Sequence, residues 1–132
     1  MPINKNTSST RFYSDKHEKS ICKALGGEQT ANSGAGHFTK GDIIIKDADM
    51  LIEAKCCMKE KSSVSIQKAW IDKNREEGHM MRCSNQAVCI NFEPEGENFY
   101  IINERLMKYL VESLRIDNTN FSGITQAISI LY

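Results

Sequence analysis

No stretch of this 132-residue chain is apolar for long enough to cross a membrane, since a spanning helix needs about 20 predominantly apolar residues. The opening residues, Met1-Pro2-Ile3-Asn4-Lys5-Asn6, lack the apolar core of a signal peptide, so an intracellular protein is expected. The five cysteines are odd in number, two are adjacent, and their spacing suggests no disulfide framework, which points to reduced thiols. No Gly-Lys-Ser/Thr follows a glycine-rich loop, which excludes a Walker-type phosphate loop. Internal repeats and linkers are also missing. Net charge is absent too, with 17 Lys and Arg against 17 Asp and Glu, so an overall basic character cannot be invoked for a polyanionic partner. What is present is an ordinary globular composition, 40% hydrophobic and 26% charged, in a chain long enough for one domain with a modest core.

The charge is unevenly placed. Residues 1–75 carry 13 Lys and Arg against 9 Asp and Glu, whereas residues 76–132 carry 4 against 8. Several acids of the first part fall in the cluster described next, where bound cations would offset them. The basic bias therefore lies beside the candidate chemistry, which is compatible with nucleic acid.

The stretch Gly41–Lys55 organises the chain. It reads as two strands, Asp42–Lys46 and Met50–Cys56, rich in Ile and Leu and separated by the polar turn Asp47-Ala48-Asp49. A turn centred on Ala48–Asp49 pairs residues whose numbers sum to 97, which sets Lys55 opposite Asp42. Alternation puts Glu53 and Lys55 on one face. Glu53 is then a diagonal neighbour of Asp42, about 7–8 Å away at the backbone. Two carboxylates and one ammonium converge on an otherwise apolar hairpin, the outline of a divalent-metal site.

Around it, residues 1–10 read as a polar, flexible arm. A helix is expected from Ser14, as N-cap, to Leu25, ended by Gly26-Gly27. Glu18 shares the apolar face of Ile21, Cys22 and Leu25, where an acid is costly unless paired or metal-linked. The alternative is a marginal surface Glu pairing with a neighbouring Lys. Residues 28–40 read as a loop rich in Gly, Ser and Thr whose backbone donors can approach phosphates, and it runs directly into Asp42. His37, in that loop, reads as a polar loop residue.

A basic stretch with Lys59 and Lys61 follows, then a helix over Val64–Glu77 closed by Gly78, which places Gln67 one turn before Trp70-Ile71. Gln67 could face the site or solvent, and Trp70 reads as core or interface packing. Gln86–Phe92 reads as a buried strand, Glu93–Glu97 as a tight acidic turn and Asn98–Ile102 as the returning strand. Asn103 caps a third helix, Glu104–Leu114, and the apolar residues of 116–132 should dock on the body or on a second copy. The order α-β-β-α-β-β-α gives an α/β class: a mixed central sheet flanked by helices. A zinc site from His79, Cys83 and Cys89 fits no known ligand spacing, and buried Cys serving as a small hydrophobe is the simpler reading.

An acid followed about ten residues later by Glu-x-Lys at the end of a hairpin resembles the PD-(D/E)xK nucleases. Gly41-Asp42 stands where that family has Pro-Asp, and Glu53-Ala54-Lys55 matches Glu-x-Lys. Glu18, then Ser33-Gly34-Ala35, then Asp42 and Glu53-x-Lys55 are similar in order and spacing to archaeal-type Holliday junction resolvases. Gln67 is similar to a Gln that many nucleases of this fold carry. The resemblance covers residues 11–92 and implies a restriction-endonuclease-like core, a homodimer and branched DNA as partner, with Glu18 completing the metal site and Ser33 contacting the scissile phosphate.

Phosphodiester hydrolysis explains the residue types. Hard carboxylate oxygens of Asp42 and Glu53, with the Ala54 carbonyl as a third donor, suit Mg²⁺ or Mn²⁺ and leave positions open for water and phosphate. Lys55 would orient or deprotonate the attacking water, or stabilise developing charge. Arg11, Lys40, Lys59, Lys61 and Lys68 are the candidate DNA contacts. The expected function is a Mg-dependent endonuclease acting on four-way junctions in DNA recombination or repair, in a gene short enough for a phage. Its alternatives are a general or nicking DNA nuclease of the same fold and a non-catalytic nucleic-acid-binding or inhibitor protein on this scaffold.

Overall fold

A computed structural model of the chain describes residues 5–30 and 42–131, with side chains described over 10–30 and 42–120. Helix α1 (Lys5–Leu25) is followed by strands β1 (Glu28–Gln29), β2 (Ile43–Ile45) and β3 (Met50–Lys55). Then come helix α2 (Lys68–Met80), strands β4 (Asn85–Ile90) and β5 (Phe99–Ile101), and helix α3 (Glu104–Leu131). The protein is therefore α/β, as expected, with five strands in the order β1-β2-β3-β4-β5. β3 and β4 run parallel and the other three pairs antiparallel, so the sheet is mixed. The parallel pair follows from the α2 crossover, which returns the chain to the starting end of β3.

Two compact units are present, residues 1–101 and 102–132. In the first, α1 and α2 cover opposite faces of the sheet. His17 of α1 reaches Cys89, while Asn74 of α2 donates to the Leu51 carbonyl at 3.3 Å and Gly78 lies against Gln86. Alternation along β3 and β4 sorts the core accordingly. Ile52, Ala87 and Cys89 share the α1 side with Ile21, Ile43 and Ile45; Leu51 and Val88 share the α2 side. His17 is buried, with Nε2 2.9 Å from Asn98 Oδ1, and burial pulls its imidazole below the usual range despite that hydrogen bond.

The second unit is α3 taken by itself. Asn103 Oδ1 accepts the Leu106 N–H at 2.9 Å, the expected cap. The helix does not end at Leu114 but continues to Leu131. Residues 115–122 contain neither Gly nor Pro, and the single Gly123 costs only about 1 kcal/mol in a helix interior. The backbone of the segment expected to dock is thus helical.

Other boundaries also move. α1 begins at Lys5, inside the stretch expected to be a flexible arm, and Ser14 is an interior residue rather than a cap. Its hydroxyl lies 3.7 Å from Cys56 Sγ. No Gly or Pro interrupts residues 3–25, so nothing forces a start at Ser14. Gly26 does end the helix, at φ 75°, with its N–H on the Cys22 carbonyl at 2.8 Å. α2 starts four residues later than expected, with Gln67 at the N-cap in extended conformation. It also runs past Gly78, which is buried in its last turns. A Cβ there would stand 2.6 Å from Gln86 Cγ, so this glycine allows close packing and is no stop signal.

The hairpin register differs by two. Ile43 pairs with Ile52, Ile44 with Leu51 and Ile45 with Met50, so paired numbers sum to 95, not 97. The connection is a short 3₁₀ turn, Lys46–Ala48, followed by Asp49 in the left-handed region at φ 47°. A shift of two keeps every side chain on its expected face, whereas a shift of one would have reversed them all.

Candidate active site

Asp42 stands at the entry to β2, at the end of the sheet where β3 finishes. Its backbone is fixed on both sides: its carbonyl accepts the Thr30 N–H at 2.9 Å and its N–H donates to the Ile52 carbonyl at 3.2 Å. One step beyond the observed pairing, Asp42 lies abreast of Glu53, and not of Lys55 as the expected register had it. Its side chain is fixed as well, since Oδ2 accepts the Ala54 N–H at 2.7 Å. In this structure Ala54 thus serves Asp42 through its N–H.

Glu53 is 4% exposed, and its Oε2 has no hydrogen-bond partner among the described residues. Its Oε1 takes two ammoniums, Lys55 Nζ at 3.3 Å and Lys73 Nζ at 3.7 Å. Lys55 is a third exposed and also sits 5.1 Å over the Trp70 ring, a cation–π contact that holds its stem at the rim of the site. Carboxylate and ammonium are therefore gathered at one strand end, with the lysine facing outward.

Glu18 approaches from α1. Its carboxyl is pushed up to about 7, first by burial and then by the charges of Asp42, Asp15 and Glu53, with a hydrogen bond to Asp42 adding to the effect. Asp42 is raised too, by burial and by the charge of Glu53, against the opposing pull of the Ala54 N–H, Lys55 and Lys73. Two carboxyls that disfavour each other's ionisation are a place where positive charge is stabilising. The donor set of Asp42, Glu18 and the unpartnered Glu53 Oε2 is all hard oxygen, and it fits a Mg²⁺- or Mn²⁺-sized cation in kind. The geometry is not closed around one: among the described residues, no three Asp, Glu, His or Cys side chains are gathered tightly enough to hold a metal ion as they stand.

The remaining expected residues are dispersed. Ser33, Lys40 and His37 lie outside the described residues. Gln67 is exposed at the α2 N-cap and makes no side-chain capping bond. Arg11, Lys59, Lys61 and Lys68 are exposed, and Lys68 is held by Asp72 at 2.8 Å. The Lys61 N–H donates to the Phe92 carbonyl at 2.8 Å, which ties the segment after β3 to the segment just after β4. All five cysteines are free, and Cys57, Cys83 and Cys89 are buried. Burial pushes the Cys89 thiol up to about 12, so it stays a neutral thiol, 3.5 Å from His17 Nε2.

α2 supplies groups that the sequence reading did not assign to the site. Trp70, Lys73 and Glu77 lie on one helical face: Trp70 meets Lys55, Lys73 meets Glu53, and Glu77 meets Lys73. Their spacing of three and four was the available signal, but a Lys and a Glu on an amphipathic helix ordinarily mark its wet side. Comparison of the chain with protein-family models, with curated proteins and with solved structures finds no match.

Proposed function

We propose that this protein is a divalent-metal-dependent DNA endonuclease of the PD-(D/E)xK type, built on a restriction-endonuclease-like core, with branched DNA as its preferred substrate. The observation that carries the reading is the juxtaposition of Asp42 and Glu53 on adjacent strands, with Lys55 two residues on along the same face. Glu18, meeting the pair from the first helix, supports it further. An acidic pair on an apolar hairpin has little structural benefit, because even a paired buried charge is often no more stabilising than apolar residues in its place.

Asp42, Glu53 and Glu18 would hold the metal. When bound, Mg²⁺ or Mn²⁺ supplies charge neutralisation at the scissile phosphate and lowers the pKa of a water. The chain's own residues do the rest. The Ala54 N–H holds the Asp42 carboxylate against the end of β3. Burial of Glu53 excludes competing water from its inner oxygen. The Lys55 ammonium is placed to orient the attacking water or to balance charge developing on the phosphate oxygens. Trp70 limits the directions in which that ammonium can turn.

Arg11, Lys59, Lys61 and Lys68 are the proposed contacts to the phosphate backbone, and such contacts give sequence-independent affinity. A homodimer would present two sites to the two opposed strands that symmetric junction cleavage requires. No described helix is long and apolar enough to cross a membrane, which is compatible with a partner in solution.

The test compares labelled four-way junction, linear duplex and single strand in Mg²⁺, in Mn²⁺ and in excess chelator. Metal-dependent paired nicks confined to the junction are expected. Equal cleavage of all three substrates would move the function to a general nuclease, and tight junction binding without cleavage in either metal would favour a binding protein.

A further inference from the structure

Glu53 has more cationic partners than a metal ligand needs. Lys55 and Lys73 both approach its Oε1, at 3.3 and 3.7 Å. Lys73 has a second partner, since its Nζ is also 3.8 Å from Glu77 Oε1, one turn further along α2. Glu77 is 6% exposed, and its Oε2, like that of Glu53, is buried without a hydrogen-bond partner among the described residues. Two buried carboxylates, one from β3 and one from α2, thus share a single ammonium whose side chain is 59% exposed.

We propose that Lys73 is a positioning residue that occupies the place of positive charge at Glu53 until a divalent cation arrives, and that Glu77 is the seat to which it withdraws; this role rests on the metal-site reading above. A divalent cation bound to Glu53 would repel an ammonium lying against the same carboxylate, because the two like charges would be only a few ångströms apart. The flexible four-carbon lysine stem can move between two acids by bond rotation alone. Glu77, at i+4 on the same helix, is within reach without any backbone change. The arrangement also answers a problem of the metal-free protein. Glu53 would otherwise be buried with one partner for two oxygens, beside Asp42 and Glu18, and Lys73 relieves that repulsion.

The two residues should act on metal affinity in opposite directions, and the effect of Glu77 should depend on Lys73, which neither a purely structural role nor two independent charges would produce. Lys73 competes with the cation, so its removal should tighten binding. Glu77 draws Lys73 away, so its removal should weaken binding, and only while Lys73 is present. The experiment titrates the protein with Mn²⁺ alone, without DNA, and follows free Mn²⁺ by electron paramagnetic resonance. Relative to wild type, Lys73→Met should bind about 5–10-fold more tightly, and Lys73→Arg, which keeps the charge, should stay within about twofold. Glu77→Gln should bind about threefold more weakly, and this loss should vanish in the Lys73→Met/Glu77→Gln double variant. Because Lys73→Met leaves Glu77 buried without its ion pair and could destabilise the fold, the double variant, which removes both charges, also carries the test. It should bind more tightly than Glu77→Gln. Unchanged or weaker affinity in both Lys73→Met and the double variant overturns the role of Lys73. No Mn²⁺ binding by wild type overturns the metal-site reading itself and this role with it.

Discussion

Replacing Glu18 by Gln should stabilise the metal-free protein above neutral pH and leave it unchanged in acid. The Glu18 carboxyl lies at about 7 in the folded chain against an ordinary 4.5, with burial the larger cause and the charge of Asp42 the next. Between those values the folded protein keeps a proton that the unfolded chain has released. Stability contributed by the protonated form is therefore full below about pH 4.5 and is lost as pH rises toward about 7, beyond which the penalty is constant. The whole shift corresponds to about 3 kcal/mol. Glu18 is only partly buried, and solvent screening reduces the expected effect to about 1–2 kcal/mol. Glu18→Gln preserves shape and can still donate to Asp42, and it has no proton to lose. In buffer with excess chelator, melting temperatures of wild type and variant should agree near pH 4.5. Near pH 8 the variant should melt higher by roughly 3–8 °C. A difference that does not change with pH, or a variant less stable than wild type at pH 8, would refute the view that Glu18 is held against Asp42 and Glu53.

Three further outcomes follow from the packing. Asn91→Ala should cost about 2–3 kcal/mol in urea unfolding, because Asn91 Oδ1 accepts the Cys57 N–H at 2.8 Å in a fully buried position and the orphaned donor would have no substitute. Gly78→Ala should cost about 1–2 kcal/mol by displacing the Gln86 side chain, whose Nε2 donates to the Cys83 carbonyl at 2.6 Å; equal stability would show that Gln86 moves aside freely. Titration of the native protein with a thiol reagent should label Cys22 and Cys56 quickly, with all five cysteines reacting only after denaturation, since Cys57, Cys83 and Cys89 are buried.

Much of the architecture was legible because its signals are local. Short apolar runs on either side of Asp47-Ala48-Asp49 define a hairpin, and the placement of Asp42, Glu53 and Lys55 on one face survives a two-residue change of register. The register itself was not legible, because it depends on Asp49 entering the left-handed region after a 3₁₀ turn, and several turn types suit that polar run. β1 was missed because Glu28 and Gln29 carry no strand signal; the strand exists because Ile43 and Ile44 offer it a paired edge. Gly78 looked like a helix stop and is a packing contact, a distinction that depends on Gln86 from a strand not yet placed. The same holds for Lys73 and Glu77. Their roles come from Glu53, which reaches α2 only once the parallel crossover has formed.

The most direct test of the nuclease reading is single-turnover cleavage of a labelled four-way junction in Mn²⁺ by wild type and by Asp42→Asn. Asp42→Asn keeps a side-chain oxygen for the Ala54 N–H and so should preserve the fold. The proposed site predicts metal-dependent cleavage by wild type and a loss of at least about 100-fold in the folded variant. Cleavage at the same rate in both proteins, or none in wild type under either metal, would contradict it.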